Sequence, residues 1–114
     1  MKQTIKEKIR QRRSQMLVHS YLYYRLDDPI IDDNKWQRWA NELAELQNNN
    51  PDDCNIDFYD KEFENWNGDT GYHLPLKDPK VIKKAMQIKK IWDQCYDKDK
   101  NMKVGIKIQD TTYA

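Results

Sequence analysis

Residues 19–43 read His19-Ser20-Tyr21-Leu22-Tyr23-Tyr24-Arg25-Leu26-Asp27-Asp28-Pro29-Ile30-Ile31-Asp32-Asp33-Asn34-Lys35-Trp36-Gln37-Arg38-Trp39-Ala40-Asn41-Glu42-Leu43. Up to Leu26 this stretch continues a run from about Thr4 in which Ile5, Ile9, Met16 and Tyr23 recur near helical spacing. Neither Gly nor Pro interrupts it, so one long helix is expected over 4–26. Asp27-Asp28-Pro29 ends it, because the residue before a proline disfavours helical dihedrals. From about Asp33 to Asn48 a second helix is expected, with Trp36, Trp39, Ala40, Leu43 and Leu46 on one apolar stripe. Asp32 or Asp33 caps its start, and Asn48-Asn49-Asn50-Pro51 stops it.

Outward from this pair, residues 51–78 form an irregular connection. Phe58, Tyr59, Phe63 and Trp66 are apolar anchors among acids, with room for one short helix, and Asn67-Gly68-Asp69-Thr70-Gly71 is a turn by composition. A third helix is expected over 79–98. Asp78 stands at its N-cap and Pro79 at N1, where the missing N–H costs nothing. Val81, Ala85, Ile88, Trp92 and Cys95 make its buried stripe. Lys103-Val104-Gly105-Ile106-Lys107-Ile108 alternates with period two, the pattern of one short C-terminal strand. The expected architecture is therefore mainly α. It is a single small helical domain over 1–114, an antiparallel N-terminal helix pair with the third helix packed across it.

The 114 residues suffice for one compact domain. Charged residues make up 34% and aromatic residues 11%, with four Trp and seven Tyr, which argues for an aromatic core under an ionic shell and against disorder. The net charge of +1 provides no overall field to steer nucleic acid. The charges are segregated, however: 2–13 is basic, 52–64 acidic and 77–107 basic again. Cys54 and Cys95 lack metal or redox spacing, and with no apolar leader or membrane-length run the expectation is a cytoplasmic protein with reduced thiols.

The segment quoted above resembles the N-terminal, nicotinamide mononucleotide-binding domain of NAD-dependent DNA ligases. In that family a helix ends in paired aromatics, a D-x-P-x-I-x-D turn follows, and a second helix opens with Tyr-Asp and runs on to Glu-Leu. Order and spacing match here without a gap over roughly residues 8–47. The resemblance implies a site that holds a pyridinium cation on an aromatic face, with carboxylates to offset its charge and donors for the phosphate. It places Tyr23 as the stacking ring, Tyr24 on the phosphate side and Asp33 as the turn carboxylate. Trp36 and Gln37 stand where the family has Tyr and Asp, so a phosphate-binding hydroxyl and a carboxylate are missing. On that reading Gln37→Asp strengthens binding.

Residues 63–79, Phe63 through the Asn67–Gly71 turn to Pro79, are similar to the downstream part of short ligase-related proteins encoded by bacteriophages. This places the chain in a bacterial host cell. An alternative reading of the turn is that it packs Trp66 against the helices.

The family's catalytic K-x-D-G lysine does not occur in these 114 residues, and there is no room for a nucleotidyltransferase fold. The chain is therefore expected not to be an enzyme. Asp97-Lys98-Asp99-Lys100-Asn101 begins like a calcium loop, but Met102 and Ile108 stand where Gly and Glu are needed. His19, Cys54, His73 and Cys95 have no zinc spacing, so no metal site is expected.

Two functional classes stay open. One is a non-catalytic module that requires no cofactor, holds NAD or NMN weakly, or docks on a nucleotidyltransferase partner. The other is a phage-encoded protein-interaction module that inhibits or modulates a host defence or replication enzyme. Nucleic acid and membrane are not expected partners. The state of the aromatic pocket discriminates: an open cleft rimmed by Tyr23, Tyr24 and Asp33 favours the first, a filled one the second.

Overall fold

The computed structural model describes residues 3–94, 96–97 and 102–103. Three helices carry the fold: α1 (Ile5–Tyr24), α2 (Asp33–Asn49) and α3 (Pro79–Gln94), with a 3-10 turn at Pro51–Asp53 after α2. Tyr96–Asp97 (β1) pairs antiparallel with Met102–Lys103 (β2), Tyr96 opposite Lys103. The mainly α expectation holds. The third helix stops at Gln94 and not at 98. Of the strand expected over 103–108 only Lys103 is described. Cys95, residues 98–101 of the calcium-loop-like stretch and residues 104–108 lie outside the described residues.

Helix α1 begins with a reciprocal cap: the Glu7 N–H donates to Thr4 Oγ1, and the Thr4 N–H to the Glu7 carboxylate, both at 3.1 Å. Two backbone donors that the helix leaves unpaired are thereby satisfied. At the other end the helix stops sooner than Pro29 alone requires. Asp27 takes a left-handed conformation (φ 51°), and the Asp28 N–H reaches back to the Leu22 carbonyl at 2.9 Å. The chain thus turns back on the helix end through a left-handed aspartate, a conformation that glycine enters more readily.

From Gln11 to Ser20 all but Arg12 are buried, so α1 lies at the centre, with α2 on one side and α3 on the other. The contacts Arg13–Gln47 and Ser20–Trp36 advance along α1 while receding along α2. The first two helices are therefore antiparallel. The third was expected across the pair; it packs instead on α1. It runs in the same sense as α1, since Arg10 and Ser14 share a cavity with Val81 and Lys84 and Lys89 meets Asp28 at 3.0 Å. Over 11–20 the helix has almost no solvent face, which is why its apolar positions do not form a single clean stripe.

Arg13, only 1% exposed, ties these layers together. Its Nε donates to Gln47 Oε1 (2.8 Å), its Nη1 to the Phe58 carbonyl (2.8 Å) and Asp60 (2.7 Å), and its Nη2 to the Cys54 carbonyl (3.0 Å). Asp60 in turn accepts the N–H groups of Ile56, Asp57 and Phe58. Burial pushes the Asp60 carboxyl up, but Arg13 and these N–H groups outweigh it and hold it below its ordinary value. The same contacts hold Asp57 and Tyr59 in left-handed backbone (φ 55° each), which costs on the order of 1–2 kcal/mol per residue. Among the anchors of 51–78, Phe63 and Trp66 are buried, while Phe58 and Tyr59 are half-buried. They sit on turns, and no helix forms over 58–66.

On α2, Trp39, Ala40 and Leu43 are buried as expected, with Trp36 and Leu46 half-buried. Helix α3 starts where its sequence indicates: the Lys80 N–H donates to Asp78 Oδ1 at 2.8 Å. Val81, Ala85 and Ile88 are buried, but Trp92 is only half-buried, packed on the edge of the core.

Candidate functional site

The paired tyrosines at the end of α1 and the first turn of α2 face a common space. Tyr23, Tyr24, Asp33, Trp36 and Gln37 all line one cavity of about 180 Å³, and a sixth residue, Asp69, joins them from the turn after Trp66. Pockets for whole drug-sized ligands run to roughly 300–1,000 Å³. This one is the size of a single ring and too small for a dinucleotide. It is neither filled nor wide open.

The aromatic walls are ordered by edge contacts. Tyr23 meets Tyr24 edge-on at 4.9 Å between centroids, and Tyr24 meets Tyr72 edge-on at 5.4 Å. Tyr23 keeps 45% of its surface exposed, so its ring remains available for stacking. Behind the cavity Trp36 donates its indole N–H to Ser20 Oγ at 3.3 Å, and Trp66 packs obliquely on Trp36 at 6.3 Å.

The turn 67–71 closes the space from the front and is pinned on both sides. Gln37 Nε2 donates to the Gly68 carbonyl at 2.8 Å and to Asn41 Oδ1 at 3.0 Å. The Tyr24 hydroxyl lies 3.0 Å from Thr70 Oγ1, which also accepts the Tyr72 N–H at 3.2 Å. Gly68 has φ 84°, the left-handed region that glycine enters without cost. Gly71 is pressed against α1 so closely that a Cβ there would collide with Ser20 Oγ and come within 3.2 Å of the Trp36 ring. Trp66 donates its indole N–H to the Ala40 carbonyl at 2.9 Å. The turn thus packs Trp66 on the helices and walls the cavity as well.

Two of the expected site residues therefore have structural engagements that the sequence does not reveal. Gln37 is an anchor for the turn, and Tyr24 shares its hydroxyl with Thr70. Asp69 was not among the expected residues. The signal that could have found it is an acid on a turn downstream of Gln37, the position where this chain lacks the acid that the resembled family has. His19, at the start of the resembling segment, is buried beside Trp39. Burial, with a contribution from the Lys35 charge, lowers its pKa to about 3, so it serves the core as a neutral ring.

A larger cavity of about 770 Å³ lies elsewhere, between α1, residues 57–62 and the start of α3. Several of its charged groups are already engaged within the fold. Asp60 is bound by Arg13, Arg10 lies 4.0 Å over the Phe58 ring, and Asp78 accepts from Tyr59 at 2.8 Å. Burial, and then that bond to Asp78, pushes the Tyr59 hydroxyl up to about 12. Among the described residues no group of three or more His, Cys, Asp or Glu could hold a metal ion. No described helix is long and apolar enough to cross a membrane.

Residues 2–57 match the family model of the DNA ligase-like, N-terminal NAD+-binding domain. A 48-residue stretch is 42% identical to the DNA ligase of Pseudothermotoga lettingae, covering 42% of this chain and 7% of the ligase. A 50-residue stretch is 40% identical to the DNA ligase of Stutzerimonas stutzeri, covering 44% of this chain and 6% of that protein. The matches thus span less than a tenth of the curated relatives' length. No solved structure matches the chain. Residues 2–57, which contribute five of the six cavity residues, are thus similar to the DNA ligase-like, N-terminal NAD+-binding domain.

Proposed function

We propose that the cavity between Tyr23, Tyr24, Asp33, Trp36 and Gln37 holds the nicotinamide ring of NMN or NAD, and that this chain acts as a non-catalytic, cytoplasmic capture module. The observation that carries this reading is the convergence of all five residues on one ring-sized cavity. Tyr23 offers the aromatic face and Asp33 a carboxylate for the pyridinium. The Tyr24–Thr70 hydroxyl pair supplies the phosphate donor that Trp36 lacks: Thr70 Oγ1 already accepts the Tyr72 N–H, so a hydroxyl hydrogen of the pair is available to an anion. The adenosine half has no place in a space of about 180 Å³, and a nucleotidyltransferase partner docking in trans would supply it.

With so few contacts to offset the entropy of association, affinity is weak, on the order of 0.1 mM or poorer, about −5.5 kcal/mol at most. Titration with NMN followed by NMR tests it. Saturable shifts of the Trp36 indole signal that vanish in Tyr23→Ala are expected; no shift in the wild type at millimolar NMN would retire the reading.

A second reading is favoured by one observation. Tyr23 and Tyr72 (45% and 61% exposed), each edge-on to Tyr24, form an aromatic rim beside the cavity, of the kind that anchors protein partners. On that reading, and given the resemblance of 63–79 to phage proteins, the rim engages a host enzyme. Loss of partner capture in Tyr72→Ala, with NMN binding intact, distinguishes it.

A further inference from the structure

The cavity is lined by two carboxylates, Asp33 and Asp69, and by no Lys or Arg. Asp33 comes from the segment that matches the ligase-like domain. Asp69 comes from outside it, on a turn that the following features hold in place. Immediately before Asp69, the Gly68 carbonyl is bound to α2 through Gln37. Immediately after it, Thr70 is bound to α1 through Tyr24. Two residues on, Gly71 seats against Ser20 and Trp36 where no side chain would fit. The Asp69 N–H itself is fixed by Asn67 Oδ1 at 2.9 Å. A turn acid tethered to both helices at its neighbouring positions stays at the cavity wall at little further cost in chain entropy.

We propose that Asp69 is a specificity-determining residue of this cavity: with Asp33 it makes the site select a flat cationic heteroaromatic ring, the oxidised pyridinium form of a nicotinamide nucleotide, over the neutral dihydropyridine. The inference rests on the capture reading above and goes beyond it by naming the charge state of the ligand and the residue that reads it. Gln37, standing where the resembled family has a carboxylate, holds the turn that supplies one. The carboxylate has moved from the helix to a turn that reaches the same cavity, while the aromatic wall stays where it was. A ring-sized cavity with negative groups on its wall and an aromatic face beside it attracts a flat cation through charge and through the ring quadrupole together. A neutral ring of the same shape gains only the apolar contact.

The test uses the full chain and two probes, NMN and its reduced form NMNH. They share ribose and phosphate and differ in ring charge. NMR titration of the wild type is expected to give an NMN preference of about tenfold, which corresponds to about 1.4 kcal/mol. In Asp69→Asn, which keeps the size of the side chain and the backbone bond to Asn67, the preference should collapse to under about threefold, with NMNH affinity unchanged. Asp69→Glu should restore it. A folding defect would lower both affinities together and leave their ratio alone, so the ratio reports charge reading and not structure. If the wild type binds NMN but Asp69→Asn keeps the wild-type ratio, the inference is overturned and the capture reading survives. If the wild type binds neither probe, both fall.

Discussion

Arg13 and His19 show how single residues in α1 depart from their usual roles. A buried arginine is tolerated because all three nitrogens of its guanidinium meet acceptors from α2 or the 54–60 loop; without them the desolvation cost would dominate. His19 is tolerated for the opposite reason, by staying neutral: burial, and then Lys35, hold its pKa at about 3 against an ordinary 6.5. The unfolded chain therefore binds a proton that the folded chain refuses. Its stabilising influence is complete above about pH 6.5 and is eroded as pH falls from there toward 3, because the unfolded state binds more protons in that window. Chemical denaturation should show stability lower by about 2 kcal/mol at pH 5 than at pH 7, and His19→Gln should flatten that slope. Gln37 carries a second prediction. Restoring an acid there looks favourable from the resemblance alone, but the structure reverses the sign. Gln37→Asp removes the donor to the Gly68 carbonyl and sets a carboxylate near a carbonyl oxygen. It should weaken NMN binding in titration and cost about 1 kcal/mol of stability in a thermal melt.

At the scale of elements, the ends of helices were legible wherever a local chemical signal sets them. The Asp78–Pro79 start of α3 and the Asp32 cap of α2 are both short-range hydrogen-bonding devices, readable from four or five residues. The Thr4–Glu7 capping box is of the same kind. The end of α1 is less so, because a left-handed aspartate is uncommon and Pro29 is the louder signal. Burial along α3 is graded in a way that periodicity cannot express. Ile88 is buried and Trp92 only half-buried, since α3 lies along α1 alone and its last turn overhangs the core edge. Ile88→Ala should therefore destabilise by about 2–4 kcal/mol and Trp92→Ala by less, about 2 kcal/mol. Thermal or urea melts of the two variants decide the order; a greater loss in Trp92→Ala would show that the end of α3 packs more tightly than described.

For the whole molecule, the segregation of charge has an internal explanation. The basic N-terminal run and the acidic 52–64 stretch meet in space through Arg13 with Asp60, and Arg10 over Phe58. The ring-sized cavity lies at the helix-pair end, with the exposed rings of Tyr23 and Tyr72 beside it. The capture reading proposed above assigns no group transfer to this chain by itself. Incubation of the chain with NAD or ATP and magnesium should leave its mass unchanged, and a gain of one adenylate on any lysine would overturn the non-catalytic reading.

Sequence by itself determined the helix pair and the third helix, because spacing along a helix decides which residues lie on one face and a short turn decides how two helices meet, while the five side chains that share the cavity were named by the resemblance to the ligase domain. Only the tertiary structure decided that α1 would be central, that Arg13 would be its buried tie, and that Asp69 would reach the cavity on a turn held by Gln37. The reason is range. A cap or an amphipathic stripe is written within a few residues, whereas Gln37–Gly68 and Arg13–Asp60 join positions 31 and 47 residues apart. Those pairings depend on how the irregular segment folds back over the helices, and no local pattern in that segment records where it will land.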